Sequence, residues 1–140
     1  MTQAVVPHMI KQGGGKIVNF SSHNAQGMLG GVSVYGATKS AVSALTRSMA
    51  IEWAKFNIQA NAVAPGHILT ELTQVTWNHP TRAPYLRERI AMHRPGLPEE
   101  IVGMVLMLCS NASSYMTGQT YHVDGGCLAG GTPWEYDTKF

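Results

Sequence analysis

Three short apolar runs, residues 17–20, 58–63 and 119–123, constrain the fold of this chain more than any other feature. Each is too short for a stable helix and is bounded by turn-forming residues, as buried strands are. Between the first two lies a helical stretch, residues 33–55, with Val34, Ala41, Leu45, Met49 and Trp53 at helical spacing on its predicted core face. Residues 99–110 form a second amphipathic helix, with Pro98 as its start signal. The order strand, helix, strand, helix, strand dictates parallel pairing through right-handed crossovers. Parallel sheets are buried on both faces and usually continue beyond three strands, so the strand at 17–20 should present an unpaired edge. No repeat or linker divides residues 1–140, which read as a single domain of α/β class.

Composition narrows the function. A net charge of +2 is too small to argue for nucleic acid or an acidic membrane surface. No apolar run approaches the roughly 20 residues of a membrane-spanning helix, and the first residues lack a signal-peptide pattern. The expectation is a soluble, cytoplasmic protein with a small-molecule partner. The scattered histidines, His8, His23, His67, His79, His93 and His122, form no His-x-x-x-His pair and no Cys-x-x-Cys accompanies them, so no metal site is expected. Of the two cysteines, Cys109 is expected on the apolar face of its helix and Cys127 in a loop, both reduced.

The chemistry sits at Tyr35-Gly-Ala-Thr-Lys39, near the start of the long helix. A spacing of i and i+4 puts the phenol and the ammonium on one helix face. A fixed positive charge beside a phenol favours phenolate, the equipment of a general acid/base acting on an alcohol or carbonyl. Upstream, the strand at 17–20 ends in Ser21 and Ser22. Downstream, Asn61-Ala-Val-Ala-Pro-Gly66 closes the second strand, and Thr117-Gly-Gln-Thr-Tyr-His-Val-Asp-Gly-Gly126 carries the third into a turn.

These four segments, in this order, resemble the C-terminal half of a classical short-chain dehydrogenase/reductase, and the resemblance covers nearly all of the chain up to Gly126. It implies a Rossmann-type, doubly wound parallel sheet, here as about three strands with flanking helices, and hydride transfer between NAD or NADP and a secondary alcohol or ketone, such as a sugar or polyol. It also implies roles: Tyr35 as general acid/base, Lys39 tuning it and bonding the nicotinamide ribose, and Ser22, rather than Ser21, holding the substrate oxygen. Pro65 and Gly66 would touch the nicotinamide, the Ile68 backbone its carboxamide, and Thr70 would lie near the phosphates, although an N-capping role for Thr70 fits equally well. His23 and Gln26 are placed to line a substrate pocket, with Trp77, His79, Arg82, Tyr85, Arg87, Arg89 and His93 largely solvated on a lid. Asn61 and Asp124 read as structural, the first bonding backbone in the crossover and the second forming a turn. The helix at 33–55 implies a homo-oligomer, a dimer or tetramer.

The dinucleotide-binding turn is not in this sequence. Gly13-Gly14-Gly15 precedes a strand instead of following one. The expectation is therefore a fragment or N-terminally truncated product, inactive alone. The alternative is a catalytically dead fragment acting as an oligomerising or binding module. An extended-fold epimerase or dehydratase also carries Tyr-x-x-x-Lys, but the short region after the last helix and the Val-Asp-Gly-Gly ending argue against it. Trp134 and Tyr136 in the tail are expected to pack on a neighbouring subunit or to fray.

Overall fold

The computed structural model describes residues 2–27 and 30–130; the tail carrying Trp134 and Tyr136 lies outside them. The chain runs α1 (Thr2–Lys11), β1 (Gly15–Phe20), α2 (Ser33–Trp53), β2 (Ile58–Pro65), α3 (Gln74–Trp77), α4 (Arg82–Arg89), α5 (Glu99–Cys109) and β3 (Thr120–Val123). Helix α1 continues through Pro7 instead of breaking there. Among the described residues the strands form one sheet in the order β1-β2-β3, parallel throughout, with β1 at an edge. The expected α/β architecture is present, with α3 and α4 built from the polar segment between β2 and α5.

The two faces of the sheet differ in chemistry. On one, Val63 packs with Ile101 and Leu108 of α5, joined by Val18, Tyr121 and Val123. Full burial of such side chains stabilises by about 1.5–3 kcal/mol each. On the other, Asn19 of β1 bonds Thr46 of α2. The register pairs Asn19 with Ala62, so Ala60, Ala62 and Ala64 share that face. These three alanines are fully buried.

Small residues on the sheet select small residues on the helix. The buried positions of α2 are Gly36, Ser43, Thr46 and Ala50. This corrects the expected core face. Val34 and Leu45 point outward, at 78% and 55% exposure, as does Ile51 at 82%, and only Met49 and Trp53 of the predicted stripe are partly covered. Alanines on β2 leave room for a close helix approach that a leucine stripe would block, and the hydroxyls of α2 take up the polar groups of β1.

Helix α5 starts at Pro98 with Glu99 and Glu100 in its first turn, where negative charge is favoured. Cys109, at its last position, is exposed rather than on the apolar face, which Leu108 occupies. Both cysteines are free thiols.

Candidate active site

The site is assembled where the three parallel strands end. At the end of β1 the two serines diverge. Ser21 is buried and turns its hydroxyl to α2, donating to the Lys39 carbonyl at 3.0 Å and meeting the Ser43 hydroxyl at 2.8 Å. Ser22 is also buried, and its Oγ accepts from the Asn24 amide at 3.1 Å, capping a single 3-10 turn at His23–Ala25. Capping uses one lone pair and leaves the Ser22 O–H free to donate.

Lys39 reaches back across the same corner. Its Nζ donates to the Phe20 carbonyl at 3.0 Å and lies 5.8 Å from the centroid of the Tyr35 ring. Tyr35 itself is 46% exposed. The helix spacing thus brings phenol and ammonium together, and the Phe20 bond ties both to the end of β1, two residues before Ser22.

At the end of β2, Gly66 is packed against the turn that follows β3. Its amide donates to the Val123 carbonyl at 2.9 Å, and a Cβ on Gly66 would come within 2.6 Å of the Asp124 Cα. Only glycine admits that approach. The Ile68 carbonyl accepts from the Thr73 hydroxyl at 2.6 Å, which occupies one of its two lone pairs. Thr70 and Thr73 meet hydroxyl to hydroxyl at 3.1 Å, and the Thr70 carbonyl receives the Thr73 and Gln74 amides, so Thr70 builds the turn leading to α3. Its hydroxyl oxygen also accepts from the Thr73 amide at 3.3 Å, while the N-cap position of α3 itself is Thr73. Pro65, Ile68 and Thr70 also share an open, mostly apolar groove with Phe20, Val102 and Leu106.

The expected substrate residues separate. His23 is buried, whereas Gln26 is exposed and borders a different depression with Ser40 and Arg47. Arg82 and Tyr85 line a cleft with Asn24, Thr76 and His67. Trp77 belongs to a small core with Ala83, Leu86 and Ile90 rather than to a lid surface. His79 accepts from the Arg82 amide at the start of α4, Arg89 donates to the Tyr85 hydroxyl at 3.2 Å, and His93 Nδ1 lies 3.1 Å from the Arg87 carbonyl. Asn61 is structural as expected: its amide donates to the Met116 carbonyl and its Oδ1 accepts from the Gln119 amide. Asp124 closes its turn by accepting from the Gly126 and Leu128 amides, each at 3.0 Å.

Sequence reasoning did not single out His67 or Cys127, yet both converge on His23. The donor atoms of His23, His67 and Cys127 lie within 4.8 Å of one another. The two imidazoles meet edge to face at 4.6 Å. Burial, with repulsion from His23 and Arg89, pushes His67 down to about 4. Burial also lowers His23, partly offset by Asp124, and raises the Cys127 thiol. Three residues so far apart in the chain leave no spacing motif; only the parallel topology brings them together.

A family model for enoyl-(acyl carrier protein) reductases matches residues 1–127. The chain is 46% identical over 132 residues to 2-dehydro-3-deoxy-D-gluconate 5-dehydrogenase of Escherichia coli, covering 92% of this chain and 51% of that protein. It is 41% identical over 129 residues to dehydrogenase/reductase SDR family member 4 of Bos taurus, covering 92% and 46%. The crystal structure of a gluconate 5-dehydrogenase from Burkholderia cenocepacia, in complex with NADP and tartrate, superposes with a TM-score of 0.90 at 38% identity, covering 93% of this chain and 51% of that one. The chain spans about half the length of these relatives. Serines ending β1, Tyr-x-x-x-Lys on α2 and Pro-Gly ending β2 are thus set in a matching sequence and a matching fold, and the chain belongs to the short-chain dehydrogenase/reductase family.

Proposed function

We propose that these residues form the acid/base half of an NAD(P)-dependent oxidoreductase that interconverts a secondary alcohol, such as a sugar or polyol, with its ketone. The observation carrying the reading is the bond from Lys39 Nζ to the Phe20 carbonyl, which holds the ammonium between Tyr35 and the strand end bearing Ser22. In the oxidising direction Ser22 donates a hydrogen bond to the substrate oxygen, and Tyr35, as phenolate, takes the hydroxyl proton. The Lys39 charge stabilises that phenolate. Pro65, Gly66 and Lys39 would hold the oxidised nicotinamide, which when bound would supply the acceptor for the hydride leaving the carbinol carbon. In the reverse direction Tyr35 returns the proton to the ketone oxygen.

The groove at Phe20, Pro65, Ile68 and Thr70 suits a flat nicotinamide ring, because its lining is mostly apolar. No glycine-rich strand-to-helix turn for a pyrophosphate occurs in the sequence. These residues alone should therefore hold the cofactor weakly and turn over little. Arg82 and Tyr85, beside His67, would meet the substrate's remaining hydroxyl or carboxylate groups. Such a substrate and cofactor suit a cytoplasmic enzyme.

A fusion decides the matter. Joining the chain to the N-terminal half of the matched Escherichia coli dehydrogenase should yield turnover on a panel of polyols and sugar acids with NAD or NADP. The 140-residue chain assayed alone should yield little. Robust turnover by the chain alone would refute the expectation that these residues hold the cofactor only weakly. A folded fusion inactive on the whole panel would favour the second reading, a non-catalytic association module. The outward apolar residues of α2, Val34, Leu45 and Ile51, support that second reading.

A further inference from the structure

Each loop leaving the C-terminal end of a strand carries a metal-ligating side chain: His23 directly after Ser22, His67 directly after Gly66, and Cys127 in the turn that Asp124 closes after β3. Ligands in open parallel sheets bind at this edge. The ordinary explanation for a buried histidine is a hydrogen-bonded core residue, and it fails here. His23 Nδ1 and His67 Nε2 are both buried with no hydrogen-bond partner among the described residues. His23 is only 3% exposed. Buried polar groups are nearly always paired, and an unpaired one costs about 1–3 kcal/mol. Both imidazoles offer a ligand-capable nitrogen to a cluster with the free thiol in which the atoms lie within 4.8 Å of one another, and the unpaired nitrogens on these two rings point to a missing common partner.

We propose that His23, His67 and Cys127 bind one divalent transition-metal ion, Zn²⁺ by their ligand chemistry, leaving a fourth coordination position open. Two imidazoles and a thiolate are a borderline-soft donor set, and three protein ligands with an open position is the pattern of non-structural zinc sites. Ligand atoms around a tetrahedral zinc ion stand about 3.3–3.8 Å apart, so the cluster, within 4.8 Å, closes on an ion by movements of about 1 Å. Burial keeps His67 neutral, which is the ligating form. Binding deprotonates Cys127: the thiol loses H⁺ to solvent as the zinc–sulfur bond forms, with no change of oxidation state. Asp124 favours the cation and braces the loop, since its carboxylate holds the amides on either side of Cys127. The vacant position would take water, or an oxygen of a small oxygen-rich molecule in the cleft that His67 lines with Asn24, Arg82 and Tyr85. The proposal stands on this chain's own side chains and does not depend on the hydride-transfer reading.

Cobalt(II) is the probe. The reduced, purified chain should bind one Co²⁺ and develop thiolate-to-cobalt charge transfer together with four-coordinate visible bands, both bleached by Zn²⁺. Trp77, whose ring lies 6.3 Å from that of His67, should be quenched. Cys127→Ser should abolish the charge transfer, His67→Gln should weaken binding by roughly tenfold or more, and Cys109→Ser should change nothing, each variant being checked for fold by circular dichroism. Should Cys127→Ser not fold, the unmutated chain still answers: Zn²⁺ should slow alkylation of Cys127 and leave Cys109 unaffected. Absence of charge transfer in the folded chain, its persistence in folded Cys127→Ser, or no selective protection of Cys127 would overturn the proposal.

Discussion

The Lys39 ammonium donates to the carbonyl of Phe20 at 3.0 Å, joining the first turns of α2 to the last residue of β1. The bond couples the orientation of the long helix to the strand end that presents Ser22. It also means that a change at Lys39 acts on geometry as well as on charge.

In an active fusion, Tyr35→Phe keeps the ring and removes only the hydroxyl. Turnover should fall by roughly the 10²–10⁴-fold typical of lost acid/base catalysis, with little change in melting temperature. Lys39→Met should lower turnover and also destabilise, because the Phe20 carbonyl loses its partner. Steady-state kinetics beside thermal melts separates the two. A folded Tyr35→Phe protein with near-normal turnover removes Tyr35 from the mechanism.

Asn61 is 1% exposed and bonds one backbone carbonyl and one backbone amide of the segment entering β3. Asn61→Leu should leave both part-buried backbone groups without this partner, at a cost of up to about 1–3 kcal/mol each. Urea unfolding should register the loss as a lower midpoint. An unchanged midpoint would mean that water reaches these groups.

Glu100 takes a two-pronged bond from Arg94, at 2.8 and 2.7 Å, and a third from the Leu97 amide. The Arg94 bond, aided by Leu97, lowers Glu100 from 4.5 to about 2. A depressed acid contributes stability above its unfolded value, and that contribution is lost as pH falls from 4.5 towards 2. Both side chains are exposed, so salt and water reduce the effect. Glu100→Gln should lower stability modestly at neutral pH and leave it nearly unchanged at about pH 2, which flattens the acid limb within that window. Urea midpoints measured across the window in low salt provide the check, and a limb of undiminished slope would rule Glu100 out as its source.

Self-association is expected at micromolar concentration. Leu45→Glu with Ile51→Glu places charge on the outward face of α2 and should shift light scattering towards monomer, without disturbing the buried small-residue face. A monomeric parent chain would contradict the interface.

Much of this was legible in the sequence, because parallel β-α-β order is fixed by local signals: short apolar runs, Pro98 before a helix, glycines after strands. Tyr35 and Lys39 were legible because helical spacing alone brings them together. The face of α2 was misread, since hydropathy favours burying Leu45 over Ser43, whereas packing against Ala60, Ala62 and Ala64 selects the small residue. Cys109 was misassigned by one position, Leu108 taking the covered side. The meeting of His23, His67 and Cys127 was out of reach, because it depends on three strand ends converging and not on any local pattern.

Helix α2 gives its small face to the sheet and its large side chains to solvent, so docking it on its own sheet removes little apolar area from water. Most of the transfer free energy available to this helix lies on its outer side. A second copy covering that side would contribute to the stability of the fold by mass action. Dilution should then behave as a mild denaturant, and an unfolding midpoint that rises with protein concentration would mark folding and assembly as a single equilibrium.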